Sequence, residues 1–256
     1  VRAGTVLPPV LLVIALFAVW QLYAATIGPG ADVLPTPSRV VTQGWANRTD
    51  LLTNTWPTVR ATLAGLALSV AVGFLLAVLI DMSAAARRAV LPVLVMSQTL
   101  PLVAIAPLVI IWFGFGQLPK ILLIVFVNFF SVTVSFVEGF RSADQGAVVL
   151  LRSMGAGRWR VFRSVRLPSA LPFFFAGLRI AITYSVVSAI FAEYAGAESG
   201  LGVYMQSAKN SFRTDLELAA VGVTALLTLS LFALSYVVEK VALPWVSFVR
   251  AGESRS

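Results

Sequence analysis

Six stretches of this sequence are apolar for long enough to cross a lipid bilayer. A helix rises 1.5 Å per residue, so about 20 apolar residues cover a hydrocarbon core of about 30 Å. The stretches run from about Val6 to Ile27, Val59 to Ile80, Val90 to Phe113, Leu118 to Phe140, Leu171 to Ala192 and Leu218 to Leu243. In lipid, every backbone polar group must find its partner inside the structure, and runs of this length do so as helices. The chain therefore reads as all-α: an integral membrane protein with about six transmembrane helices in a single domain, residues 1–256. Its charged fraction of 12% agrees, since a soluble domain carries about 25%. Arg2 and the first stretch have the order of a signal peptide. The stretch is longer than a typical h-region and five more follow, so it is read as a span.

The basic residues lie mainly in the loops. Six spans put both termini on one side. That side holds Arg2, Arg87, Arg88, Arg141, Arg152, Arg158, Arg160, Arg163, Arg166, Lys240, Arg250 and Arg255, twelve in all, against six on the other side. The opposite six are Arg39, Arg48, Arg60, Lys120, Lys209 and Arg213. Cytoplasmic loops are enriched in Lys and Arg, so both termini and the arginine-rich loop are expected in the cytoplasm. The same asymmetry accounts for the net charge of +8 without nucleic acid as a partner.

The chain has no cysteine and no histidine. Disulfides, thiolate chemistry, Ser-His-Asp triads and the usual zinc sites are excluded, and no metal site is expected. No GxxxxGK[ST] occurs, so this chain has no phosphate-binding loop of its own. Gly155-Ala156-Gly157 opens like GxGxxG, but Arg160 replaces the third glycine and no strand precedes it. No close pair of carboxylates suggests acid–base catalysis. Asp215 and Glu217 are expected at the start of the sixth span. Before the second span, Leu34-Pro35-Thr36-Pro37-Ser38 is expected to be extended, with Ser38 capping a short helix through Trp45 and Leu51.

The loop between the fourth and fifth spans, about 141–170, is too long for a simple connector. Val148, Leu151 and Met154 recur every third residue, as on a short helix, with Val149 beside them. Gly155-Ala156-Gly157 stops that helix, because glycine takes the left-handed conformation of a helix end. Arg158-Trp159-Arg160-Val161-Phe162-Arg163 starts a second short helix, and Pro168 and Pro172 close the loop. Two arrangements fit: a knob whose small-residue tip another protein can approach, or two helices lying on the inner leaflet with Trp159 and Phe162 dipping into it.

Gly155, nine residues, and then Val165-Arg166-Leu167-Pro168 resemble the EAA loop of ABC importer permeases. That pattern is Glu-Ala-Ala, three residues, Gly, nine residues, a branched apolar residue, any residue, Leu-Pro. Val149, Leu150 and Leu151 replace its Glu-Ala-Ala here. Further stretches are similar to the nitrate, sulfonate, taurine and thiamine-precursor branch: Leu34 to Ser38, Ala104 to Leu108, Trp112 to Gly116, Ala176-Gly177-Leu178-Arg179, and Glu193 followed by Ser199-Gly200-Leu201-Gly202. Ser97-Gln98-Thr99 before Pro101 leans toward permeases for thiamine-pyrimidine or riboflavin-like substrates. The resemblance implies a type I importer in a bacterial inner membrane. Two permease subunits, this chain with a second copy or with a close relative, a homodimer being the expected case, would form the pathway. Two cytoplasmic ATPases bind the loops and carry ATP and Mg, and an extracytoplasmic binding protein delivers the substrate. This chain would then bind no cofactor. Val148, Val149, Leu151, Met154, Gly155, Ala156, Gly157, Arg158, Trp159, Leu167 and Pro168 would form the coupling segment.

Charges inside spans are costly and carry a purpose. Arg179 could pair with Glu138 or snorkel to the inner surface, and Glu193 reads equally as a gate or a folding contact. Gln98, Thr99, Asn128, Ser131, Thr183 and Ser188 form a polar line along spans three to five, either lining a pathway or joining helices. Pro101 and Pro107 are expected to bend the third span. A secondary transporter would often show two related halves, and a membrane enzyme a convergent catalytic set. Neither is visible.

Overall fold

The computed structural model describes residues 3–244 apart from 27, 29, 31 and 32, with side chains from residue 7 onward. Arg2, Arg250 and Arg255 lie outside the described residues. Those described form helices and loops with no strand. The helices are α1 (Ala3–Thr26), α2 (Pro37–Ala46), α3 (Arg48–Met82), α4 (Ala84–Ser97), α5 (Leu102–Phe113), α6 (Gln117–Arg141), α7 (Gln145–Ser153), α8 (Arg158–Val161), α9 (Leu167–Gly196), α10 (Leu201–Asn210) and α11 (Thr214–Ala242). A π-helical turn, Phe162–Arg166, joins α8 to α9. Five helical segments are long and apolar enough to span a membrane, and α4 with α5, bent at a short break, brings the number to six when the pair is taken as one span.

The centre of the bundle is α6, packed along its length between α3 and α9. Along α3, Ala61, Gly65, Ser69, Gly73 and Ala77 recur every fourth residue and all are buried. This stripe of small side chains lets the α3 backbone come up against α6. A Cβ on Gly65 would sit 2.6 Å from Ile124, and one on Gly73 would sit 2.7 Å from Val132. On the other flank, Gly139 of α6 faces Ala170, and Gly177 of α9 faces Ser135 with no room for a Cβ. Helices in lipid gain little by hiding apolar surface from one another, so close van der Waals contact of this kind holds them together. At the arginine-rich end, Phe136 stacks on Phe174 at 4.8 Å, and Phe140 meets Phe162 at 5.3 Å.

The third span is broken rather than bent. Its halves, α4 and α5, meet at 100°. The break falls at Gln98–Pro101, because Pro101 lacks an N–H for the α4 ladder and disfavours helix in the residue before it. Pro107 lies inside α5. The pair still traverses the bundle. Leu94 of α4 packs with Ile80 and Phe140 at the arginine-rich end. Ala106 and Val109 of α5 pack with Leu123 and Ala192 at the other.

Two further expectations change in detail. Thr36, not Ser38, caps α2: its side chain accepts the Arg39 N–H, and Pro37 takes the first helical position, where no N–H is needed. That helix ends at Ala46, and Leu51 belongs to α3. Asp215 does sit in the first turn of α11, where Arg39 and Arg213 hold it at 3.1 and 3.0 Å and tie α2 to α11.

Gly65→Leu drives a branched side chain into Ile124 and is expected to destabilise the bundle by about 3 kcal/mol. Ala67→Leu, at an exposed position of the same helix, is expected to change little. Thermal unfolding of the detergent-solubilised protein compares them; equal midpoints would mean that α3 and α6 are not in close contact.

Candidate functional site

At the arginine-rich end the loop is built as a hairpin of short helices. Asp144 caps α7 by accepting the Gly146 N–H at 2.8 Å. The helix stops at Gly155, with φ of +80°. There the Ala156 N–H reaches the Leu151 carbonyl and the Gly155 N–H reaches that of Arg152, both at 2.9 Å. These two bonds form a Schellman stop, which needs a left-handed residue at the position Gly155 occupies.

The two sides of α7 differ. Val148 is buried and Leu151 half-buried, so they face the bundle. Val149, Leu150, Met154 and Trp159 point away and are 62 to 75% exposed. The apolar stripe therefore divides: Val148 anchors the loop, while Met154 joins Val149, Leu150 and Trp159 on the free surface beside the turn. Gly155, Gly157 and Arg158 are exposed there, with Ala156 half-buried.

The second loop helix is not separate from the fifth span. From Arg158 the chain runs through the π turn into α9 as one helical segment, Arg158–Gly196. The reason lies at Pro168, which has no N–H for the carbonyl four residues back. The π turn absorbs that missing bond: Leu167 donates to Phe162, five residues back. Leu167 and Pro168 are thus helical and half-buried at the start of α9. Phe162 is buried against Phe140 and so is withheld from any lipid surface. Arg166 in the π turn pairs with Asp81 near the end of α3 at 2.6 Å. A cleft of about 270 Å³ opens beside this pair, with Arg152, Arg158 and Trp159 on its exposed side and Val161 and Phe162 buried within.

A polar cluster occupies the opposite end. Lys120 and Glu193 are 2% and 1% exposed and lie 3.1 Å apart. Lys120 also donates to the Ser199 carbonyl at 2.6 Å. Thr58 donates to Glu193 at 2.9 Å, and its oxygen accepts the Leu201 N–H at 2.9 Å. Glu193 in turn accepts the Gly202 N–H at 2.8 Å. The cluster joins α3, α6, α9 and the loop into α10. Gly200 has φ of +137°, and a Cβ there would overlap the Glu193 carboxylate. The spacing from Glu193 to Ser199-Gly200-Leu201-Gly202 is thus the geometry of one buried ion pair and the loop folded over it.

The other predicted site residues do not converge on one surface. Gln98 and Thr99 are exposed at the break between α4 and α5, and Thr183 is exposed on α9. Asn128 is buried and donates to Ser185 at 3.1 Å between α6 and α9. Ser188 is buried on α9, and Ser131 is half-buried on α6. Arg179 pairs with Glu239 of α11, not with Glu138, and its guanidinium lies 4.4 Å over the Tyr236 ring. Glu138 is exposed on another face of the bundle. Sequence reasoning missed Asp81 and Glu239 and counted Lys120 as a loop charge, whereas it is buried in α6. A usable signal was there: each charge at the edge of an apolar run requires an opposite charge on another run.

A profile of the family described as "binding-protein-dependent transport system inner membrane component" matches residues 69–247. The chain is 34% identical to the formylaminopyrimidine transport permease protein ThiX of Halalkalibacterium halodurans, over 95% of this chain and 98% of that one. It is 31% identical to the riboflavin transport system permease protein RibX of Chloroflexus aurantiacus, over 93% and 89%. It is 30% identical to the taurine transport system permease protein TauC of Escherichia coli strain K12, over 90% and 86%. Among solved structures, an amino acid ABC transporter shares the fold with a TM-score of 0.65 at 16% identity, covering 78% of this chain and 97% of that one. The methionine ABC transporter MetNI does so with a TM-score of 0.59 at 20% identity, over 75% and 97%. The chain belongs to the inner membrane components of binding-protein-dependent ABC transport systems. It is a multi-pass permease subunit of the nitrate, sulfonate and taurine branch, and ATP hydrolysis falls to separate subunits.

Lys120→Ala leaves Glu193 buried without its cation and is expected to cost about 3–5 kcal/mol. The paired change Lys120→Met with Glu193→Leu removes both charges and is expected to cost clearly less. Unfolding midpoints of the two variants check this; similar losses would show that shape rather than charge pairing holds the cluster.

Proposed function

We propose that two copies of this chain form the substrate pathway of an importer, with the arginine-rich end in the cytoplasm and both termini on that side. The turn from Val148 to Trp159 is the ATPase-coupling element, and ATP and Mg are bound by the partner subunits. An extracytoplasmic binding protein delivers substrate to the opposite end. The observation that carries the coupling assignment is the Schellman stop at Gly155, flanked by exposed Val149, Leu150, Met154 and Trp159. Exposed aromatic, Met and Arg side chains around a tight tip suit a protein groove. The basic asymmetry supports the orientation.

Gln98, Thr99 and Thr183 face the pathway. They are polar, exposed and within spans, where lipid contact is unfavourable. The break beside Gln98 frees carbonyls that water or protein must meet. Asn128, Ser131 and Ser188 join helices, and Glu193 is a folding contact. The substrate is a small nitrogen heterocycle of the thiamine-pyrimidine or riboflavin type. That reading rests on Ser97-Gln98-Thr99 ahead of Pro101 and on likeness to ThiX and RibX. A sulfonate or nitrate-type substrate is the alternative that likeness to TauC supports.

Orientation is tested by a cysteine at Ser153, in a chain that has no other. It is expected to react with an impermeant maleimide only in inverted vesicles, and labelling in intact cells would reverse the topology. Coupling is tested by Gly155→Trp. A tryptophan strains the left-handed position and blocks the tip. Insertion and folding are expected to persist, whereas ATPase association and substrate-stimulated hydrolysis are expected to fall at least tenfold, about 1.4 kcal/mol. Arg160→Ala, one exposed charge, is expected to cost about 1 kcal/mol or less. Normal ATPase pull-down and transport in Gly155→Trp would remove the coupling role from this loop.

A further inference from the structure

The cleft beside the turn has an unbalanced charge. Its lining includes three arginines, Arg152, Arg158 and Arg166, and a single carboxylate, Asp81. Asp81 already holds Arg166. Among the described residues, no carboxylate lies within salt-bridge reach of Arg152 or Arg158. Both are exposed, and so is Trp159, whose ring stacks on Phe162 at 5.6 Å. Just beyond, Val149 and Leu150 present apolar side chains. From Gln145 to Arg166 the chain has no acidic residue, and every basic residue is arginine. Arginine rather than lysine suits a planar carboxylate, which its guanidinium meets with two parallel hydrogen bonds.

We infer that this cleft receives a carboxylate-bearing segment of the ATPase subunit, so that the ATPase groove around the turn is acidic and apolar. This rests on the coupling role proposed above and adds the partner's chemistry. It reverses the polarity that a glutamate at position 149 would require, since such a residue seeks a cation on the partner. An anionic lipid headgroup would also satisfy arginines. Two features favour protein: of the two aromatics that a leaflet would take up, Phe162 is buried in the bundle and Trp159 alone is exposed, and Arg, Trp and Met cluster at protein interfaces.

The test is binding of the native ATPase subunit to the permease in nanodiscs of phosphatidylcholine alone, which removes anionic lipid. Arg152→Glu with Arg158→Glu is expected to weaken binding about tenfold or more, and the glutamine pair by less. Both sites lie on an exposed loop surface, and the glutamine pair serves if the glutamates impair folding. Val149→Glu is also expected to weaken binding, because it sets a carboxylate against an acidic groove. Native affinity is expected to fall as salt rises. Unchanged binding of the double glutamate variant, or tighter binding of Val149→Glu, overturns the inference. So does a defect that arises only when phosphatidylglycerol is present, which assigns the cleft to lipid. Gly155→Trp separates the two levels. If it abolishes binding while the arginine variants bind normally, the coupling role stands and the acidic groove fails. If it too binds normally, both fail.

Discussion

The closeness of α3 and α6 determines where everything else in this bundle can sit. A bilayer gives helices almost no solvent-driven reason to associate, so the backbones must approach within van der Waals reach. Ala61, Gly65, Ser69, Gly73 and Ala77 make that approach possible on one side of α6, and Gly139 and Gly177 make it possible on the other. With α6 gripped between two helices, its ends become fixed points. Lys120 at one end and Phe140 at the other then belong to the two clusters that organise the loops.

Ion pairs complete what close packing begins. Lys120–Glu193 joins α6 to α9, Arg166–Asp81 joins the π turn to α3, and Arg179–Glu239 joins α9 to α11. Each connects two separate helical segments. Lys120–Glu193 is the fully buried one, and in such an interior an unpaired charge is so unfavourable that the partner's position is strictly constrained. Glu193 takes this furthest. Its carboxylate collects a cation, a hydroxyl and a backbone N–H, and so folds the Ser199–Gly202 loop over the end of the bundle.

The spans were legible because hydropathy and length are properties of single segments. The helix stop at Gly155 was legible for the same reason: a left-handed cap is a local event. Pairings across the bundle were not. Arg179 has Glu138 and Glu239 within its chemical reach as a sequence, and only the packing of α9 on α11 selects Glu239. The small-residue stripe of α3 was missed because a period of four inside a uniformly apolar run changes hydropathy very little. The continuity of α8 with α9 was hidden by Pro168. Prolines ordinarily mark boundaries, and here a π turn supplies the relief that lets the helix continue.

That continuity bears on how a displacement at one end would reach the other. A helix entering its span through a flexible loop would dissipate any displacement of the turn in backbone torsions. Here no loop lies between Arg158 and Gly196. The π turn is the one irregularity, and it is braced from two directions: Phe162 packs on Phe140 of α6, and Arg166 is held by Asp81 of α3. A displacement at Arg158 or Trp159 therefore reaches α9, α6 and α3 together. Interfaces packed this closely shift as bodies rather than deform smoothly. At the far end of α9 lies Glu193, whose bonds hold α3, α6 and the loop into α10. A displacement imposed at Arg158 would thus follow one continuous helical segment to the residues that fold the opposite end.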